Sequence, residues 1–172
     1  MSSKKTSVII LIGMMGSGKS TVGLRLAQYL GFKFIDTDEM IVNTENSSII
    51  NIFKNKGENY FRDLETNLLD KLDKIEKNNV VIATGGGLPI YNNNMKKLMK
   101  IGSTVYLSIT PSEIYFRLKD LKDRPLLPNK ISSIEKLLKS RESTYVLSSY
   151  QFDCTGKKVE ELVKEIVNKL NF

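Results

Sequence analysis

The sequence predicts an α/β protein built on a central five-stranded parallel sheet flanked by helices. Three observations predict it. Apolar, strand-like runs alternate with helix-period segments from one end of the chain to the other. A glycine-rich turn joins the first such strand to the first such helix. The chain has 172 residues, 41% apolar and 26% charged, which suits one domain spanning 1–172 with a real core.

The elements follow in order. The first strand covers 7–12, and residues 18–30 form a helix with Val22, Leu26 and Leu30 on one face. The second strand, 33–36, ends at Asp36. Residues 37–62 read as short helical pieces leading into a long helix over 57–76. That helix carries Tyr60, Phe61, Leu64, Leu68, Leu69 and Leu72 at three- and four-residue spacing. The third strand, 79–84, rests on Val80, Val81 and Ile82 and runs into the triplet 85-GGG-87. A helix at 92–101 and a strand at 103–109 come next. Pro111 opens the helix 111–121, where its missing N–H costs nothing. Residues 120–131, DLKDRPLLPNKI, combine charge with Pro125 and Pro128 and read as an exposed loop. A helix at 132–148, a strand at 150–154 and a helix at 157–170 complete the chain.

Composition narrows the function. Net charge is +7 with a pI near 9.4, which favours anionic partners. The basic residues form no block and no interleaving with aromatics, so neither nucleic acid nor a membrane is an expected partner. Small phosphorylated or carboxylated molecules remain. The absence of histidine removes imidazole chemistry, and one cysteine, Cys154, with no histidine disfavours zinc. A single cysteine also excludes an internal disulfide and fits a reducing compartment. The run 8-VIILIG-13 is too short for a membrane span or a signal-peptide core. The expectation is a soluble, cytoplasmic monomer.

The strongest motif is 13-GMMGSGKST-21, which fits G-x-x-x-x-G-K-[ST] between a strand and a helix. Glycines let backbone N–H groups curl around phosphate oxygens, and the helix N-terminus adds partial positive charge. Gly13, Gly16, Ser17, Gly18, Lys19, Ser20 and Thr21 are expected on a nucleotide. Lys19 would face the β and γ phosphates, and Ser20 would ligate Mg²⁺. In many nucleotide-hydrolysing folds the third strand ends in an acid that serves the metal; here Ala83, Thr84 and the glycines stand there instead. Asp36, at the end of the second strand, can reach the metal shell, and Asp38 is free to meet an acceptor hydroxyl. Helix capping explains these acids equally well from spacing alone. Arg62 and Glu65 sit three apart on one helix face, which a surface ion pair would also explain. Arg117, Arg124 and Arg141 read either as solvated helix and loop residues or as phosphate and carboxylate ligands. An arginine beside prolines in a loop is a candidate for closing over a transferred phosphate.

Taken together, 13-GMMGSGKST-21, 36-DTD-38, 61-FRDLE-65, 85-GGG-87, 124-RPLL-127 and 141-RESTY-145 resemble the shikimate kinase family, in the same order over nearly the whole chain. The resemblance implies the single-domain P-loop kinase fold, with a substrate-binding helical region near 37–62 and a mobile lid near 120–131. It implies Mg²⁺-dependent transfer of the γ-phosphoryl of ATP to the 3-hydroxyl of shikimate, on the route to chorismate and aromatic amino acids. It assigns Asp38, Arg62, Arg141 and Gly85–Gly87 to shikimate, and Ser20 and Asp36 to Mg²⁺. It makes Glu65 the support of Arg62 and Arg124 the lid arginine, with Lys19, Asp38 and Arg124 catalytic. Arg117 and the loop 155-TGKK-158, including Lys157, would flank adenine. Two rivals stay open at this point. One is a P-loop kinase acting on a nucleoside monophosphate or gluconate; the other is a nucleotide-dependent module that changes shape without transferring phosphate.

Overall fold

The computed structural model describes residues 8–74, 79–119 and 130–172. Strands β1 (Val8–Ile12), β2 (Lys33–Asp36), β3 (Val80–Ala83), β4 (Ser103–Ser108) and β5 (Tyr150–Asp153) form one parallel sheet in the order β2-β3-β1-β4-β5. The predicted strands are all present, each within a residue or two of its expected ends. In register, Asp36 stands level with Ala83, and Ala83 with Leu11. The loops leaving β1, β2 and β3 therefore emerge side by side at the carboxyl edge, where ligands collect in such sheets.

Seven helices cover the sheet among the described residues: α1 (Lys19–Leu30), α2 (Thr37–Glu45), α3 (Ile49–Leu72), α4 (Asn94–Ile101), α5 (Pro111–Leu118), α6 (Ile131–Tyr145) and α7 (Val159–Leu170). The central strand explains why both faces must be covered. Every residue of β1 is buried, and alternate side chains leave on opposite faces. Ile9 and Leu11 pack with Leu26 of α1 and Ile166 of α7. Ile10 and Ile12 join Leu69 of α3, Leu98 of α4 and Ile114 of α5 on the other face. Each such side chain contributes about 1.5–3 kcal/mol on burial.

Local chemistry sets the helix ends that matter for the site. The Asp36 side chain caps α2, accepting from Asp38 N–H at 2.9 Å and Glu39 N–H at 3.4 Å. Thr110 caps α5, with Pro111 in its first turn.

Within α3 two helical pieces meet at Gly57, whose φ of 83° and ψ of 171° are not helical, so a short piece followed by a long helix from about 57 stands where the sequence placed them. Residues 49–56 are helical because they have an apolar face of their own: Ile52 is buried, and Ile49 and Phe53 pack against the core. Gly57 ends the first piece and redirects the chain into the second. At the far end α3 stops at Leu72, short of the expected 76. Most of the expected lid, including Arg124, lies in 120–129 and so outside the described residues; its last residue, Ile131, already opens α6.

Candidate active site

The loop after β1 curls as its glycines permit. Gly13, Gly16 and Gly18 have φ of 141°, 77° and 92°, values that L side chains rarely adopt. The Lys19 ammonium lies within the curl, donating to the carbonyl oxygens of Gly13 at 3.0 Å and Met14 at 2.8 Å. Ser17 is buried in the same turn, its N–H donating to Met14 O at 3.2 Å. Ser20 and Thr21, in the first turn of α1, face the hollow above the loop.

Asp36 does two things at once. Its Oδ1 caps α2, and its Oδ2 accepts from Ser20 Oγ at 2.6 Å. Capping and proximity to the phosphate loop, which spacing alone left as alternatives, are compatible because each uses a different oxygen. Two hard oxygen ligands side by side at the mouth of the loop suit Mg²⁺, which takes one or two protein ligands and fills its shell with water and phosphate. Among the described residues no cluster of three or more acidic, histidine or cysteine side chains competes for a metal.

A second hollow adjoins the first. They share Met15, Asp38, Gly85 and Gly86 as a common wall. Ile49, Phe53 and Phe61 give the second hollow an apolar side, and Arg62, Glu65 and Arg141 give it a charged one. The basic residues are anchored with care. Arg62 is 6% exposed. Its Nη1 donates to Glu65 Oε2 at 2.8 Å, while Nη2 and Nε donate to Glu58 Oε1 at 2.8 and 3.2 Å. Its plane also lies 4.3 Å from the centroid of the Tyr91 ring, a cation–π contact. Arg141 is 8% exposed, and its Nη1 is buried with no hydrogen-bond partner among the described residues. Leaving such a donor unpaired is costly, so the arrangement suits an anionic guest. Neither arginine is a solvated surface residue.

The triplet explains itself through space rather than backbone freedom. None of Gly85–Gly87 has a positive φ. A Cβ on Gly85 would stand 2.5 Å from Asp38 Oδ1 and 3.1 Å from Glu65 Oε1. One on Gly87 would stand 2.8 Å from the Arg62 Cζ, and one on Gly86 would crowd the phosphate loop, 3.2 Å from Met15 N and 3.3 Å from Gly13 O, with Arg141 Nη1 in ordinary contact at 3.6 Å. Glycine lets three charged groups and the phosphate loop close on one stretch of backbone. Gly85 N–H donates to Thr37 Oγ1 at 3.0 Å, and Gly86 O accepts from Tyr145 Oη at 2.6 Å, so the turn is pinned from both sides. Burial pushes the Glu65 carboxyl up to about 7, with Arg62 pulling it partway back. Burial also pushes the Tyr145 hydroxyl up to about 12, keeping it a donor to Gly86.

The two residues expected at adenine differ in where they lie. Arg117 Nη1 donates to Gly16 O at 3.1 Å, so it reaches the phosphate loop rather than standing clear of it. Lys157 is held on both oxygens of Glu165 at 2.7 Å and does not line either hollow. Three contributors were not singled out from sequence. Glu58 stands four residues before Arg62 on α3, a spacing that could have flagged it. Thr37 and Tyr145 lie inside motifs whose other members drew attention, and only the fold brings them to the triplet.

With this geometry in view, comparison with known proteins decides the family. Residues 15–171 match the shikimate kinase family. The chain belongs to the shikimate kinase family. It is 40% identical to a shikimate kinase of Sulfurihydrogenibium sp. over 162 residues, covering 94% of this chain and 96% of the relative. It is 48% identical over 140 residues to one from Clostridium botulinum strain Loch Maree, covering 80% and 81%. The solved shikimate kinase of Acinetobacter baumannii in complex with shikimate superposes with a TM-score of 0.90 at 32% identity, covering 97% of this chain and 94% of that one. Shikimate kinases are ATP-dependent phosphotransferases with an alcohol acceptor, use Mg²⁺, and serve aromatic amino acid biosynthesis. Family membership disfavours the gluconate, nucleotide and non-catalytic alternatives that the sequence left open. No helix among the described residues is long and apolar enough to cross a membrane.

Proposed function

We propose that the two adjoining hollows are the donor and acceptor halves of one phosphoryl-transfer site, and that the acceptor is the 3-hydroxyl of shikimate. The carrying observation is the buried, unpartnered Arg141 Nη1 beside the glycine triplet that also packs on Arg62. Two buried guanidinium groups against a side-chain-free turn suit one carboxylate on a compact ring. Ile49, Phe53 and Phe61 would meet the ring carbons, as the apolar side of a small-molecule pocket does.

The protein's work is positioning and charge. Asp38, on the wall common to both hollows, binds the acceptor hydroxyl and takes up its proton or orients it. Lys19 moves from the Gly13 and Met14 carbonyls onto the β and γ phosphates. Ser20 and Asp36 hold Mg²⁺, which when bound supplies positive charge across the transferred group. Gly13, Gly16, Ser17, Gly18 and Thr21 line the phosphates and Arg117 borders the nucleoside; the phosphate role of Arg124, which lies outside the described residues, rests on the family resemblance alone. Lys157 takes no part in this reading, because Glu165 holds its ammonium. The reading takes the molecule as a one-domain cytoplasmic monomer whose partner is the small-molecule acceptor, without nucleic acid or membrane. Cys154, buried as a free thiol, fits a reducing compartment.

A coupled ADP assay with shikimate, gluconate and a nucleoside monophosphate tests the proposal. ADP should form rapidly with shikimate alone. A gluconate rate matching the shikimate rate would overturn the assignment of the acceptor hollow.

A further inference from the structure

The acceptor hollow lies over β2 and β3, and the phosphate loop follows the central strand β1. A triphosphate whose terminal phosphoryl faces Asp38 must trail its nucleoside toward the other half of the sheet edge, over β4 and β5. Two segments border that half: α5, which follows β4 and carries Arg117, and the turn 154–158, which follows β5. One carboxylate joins them. Glu113 Oε2 accepts from Gly156 N–H at 2.9 Å, and Glu113 Oε1 accepts from Arg117 Nη2. Arg117 Nη1 in turn donates to Gly16 O at 3.1 Å, in the phosphate loop.

The local sequence shows that this link is a diversion from ordinary helix chemistry. Thr110-Pro111-Ser112-Glu113 is a capping box, S/T-x-x-E, at the start of α5. Half of the box is made: Thr110 Oγ1 accepts from Glu113 N–H at 3.4 Å. In the other half the glutamate would reach back to the Thr110 N–H. Here that N–H donates to Thr155 Oγ1 at 3.3 Å instead. Thr155 has taken the glutamate's place, and the Glu113 carboxylate is released to Gly156 and Arg117. The turn after β5 is thereby fastened to α5 twice, through adjacent residues.

We propose that Glu113 is a positioning residue for the nucleoside end of the nucleotide. It fixes the spacing between the Arg117 guanidinium and the 154–158 turn and acts through them rather than by touching the ligand. This rests on the donor-site reading above. It predicts that loss of the carboxylate weakens ligands that carry a nucleoside and spares a bare polyphosphate, which has no nucleoside to place between α5 and the 154–158 turn.

The test is calorimetric titration of wild type, Glu113→Ala and Glu113→Gln with Mg²⁺-ADP and with Mg²⁺-tripolyphosphate. For Glu113→Ala the Kd of ADP should rise about tenfold, the size of one hydrogen bond to a charged group, with tripolyphosphate within about twofold of wild type. Glu113→Gln should lie between, since its amide oxygen can still accept from Gly156 while its NH₂ faces Arg117. Should the alanine variant fold poorly, the glutamine variant carries the same criterion. Equal weakening of both ligands, as a merely structural defect would give, overturns the proposal, and so does an unchanged ADP affinity. No acceptor is present in these titrations, so a failure of the shikimate assignment leaves their outcome distinguishable.

Discussion

At the scale of single residues, the site depends on charges kept out of water and held by one another. Arg62 is the clearest case, forked between Glu58 and Glu65 and laid against Tyr91. Charge-assisted hydrogen bonds to a substrate contribute about 1.5–3 kcal/mol each, so Arg62→Ala should raise the shikimate KM roughly 10- to 100-fold. The ATP KM should stay within about twofold in steady-state assays. Equal rises in both would count against the carboxylate role. Lys19→Ala should act on kcat instead, lowering it about 10²- to 10³-fold, because its charge matters most as the phosphoryl group transfers. A near-normal kcat would be incompatible with the donor site. Glu65 carries a pH signature. Its carboxyl is raised from 4.5 to about 7, so the folded chain keeps this proton to higher pH than the unfolded chain. Its contribution is therefore full below about 4.5 and is lost as pH rises through 7, by roughly 3 kcal/mol. Urea denaturation from pH 5 to 8 should show wild type losing stability relative to Glu65→Gln over that range. A constant difference between the two would contradict the buried, raised carboxyl.

At the scale of elements, the kinked helix α3 links the acceptor hollow to the rest of the fold. Its front piece brings Ile49 and Phe53 to the hollow, and the part beyond Gly57 brings Phe61, Arg62 and Glu65. Nothing lies within 4 Å of a Cβ placed on Gly57, so Gly57→Ala costs only the strain of its φ of 83°. At ψ 171° this is a region left almost entirely to glycine, so the strain is about 1–3 kcal/mol, readable as a lowered denaturation midpoint. An unchanged midpoint would mean the kink relaxes freely. Elements of this kind also mark how far the sequence could be read. Strands and helices with a strong apolar face, such as β1 and α7, show their period directly. The 49–56 piece reads only as one of the short helical pieces over 37–62, because its apolar residues are too few to fix where one piece ends and the next begins. The glycine triplet was legible as a shikimate contact through the family resemblance, but the side chains that crowd it were not. Asp38, Glu65, Arg62 and Arg141 come from α2, α3 and α6, and no local pattern records that convergence. Asp36 illustrates the same limit: spacing offers capping or metal proximity, and only coordinates show one carboxylate serving both edges.

At the scale of the whole molecule, sheet order does the arranging. Placing β1 between β3 and β4 puts the phosphate loop at the centre, an acceptor hollow over β2 and β3, and the Arg117 wall over β4 and β5. The alternation of strands and helices made the parallel sheet readable from sequence, and the phosphate-loop motif located its working edge. The strand order was not readable, because period and composition say nothing of which parallel neighbours pair. We place a carboxylated cyclic alcohol between Arg62 and Arg141, over Gly85–Gly87, with its reacting hydroxyl on Asp38. A crystal structure of the protein with shikimate and Mg²⁺-ADP tests this placement most directly. The carboxylate should lie within hydrogen-bond reach of both guanidinium groups, including Arg141 Nη1, with a ring hydroxyl on Asp38. Shikimate bound with its carboxylate turned away from both arginines, or in any other part of the molecule, would contradict it.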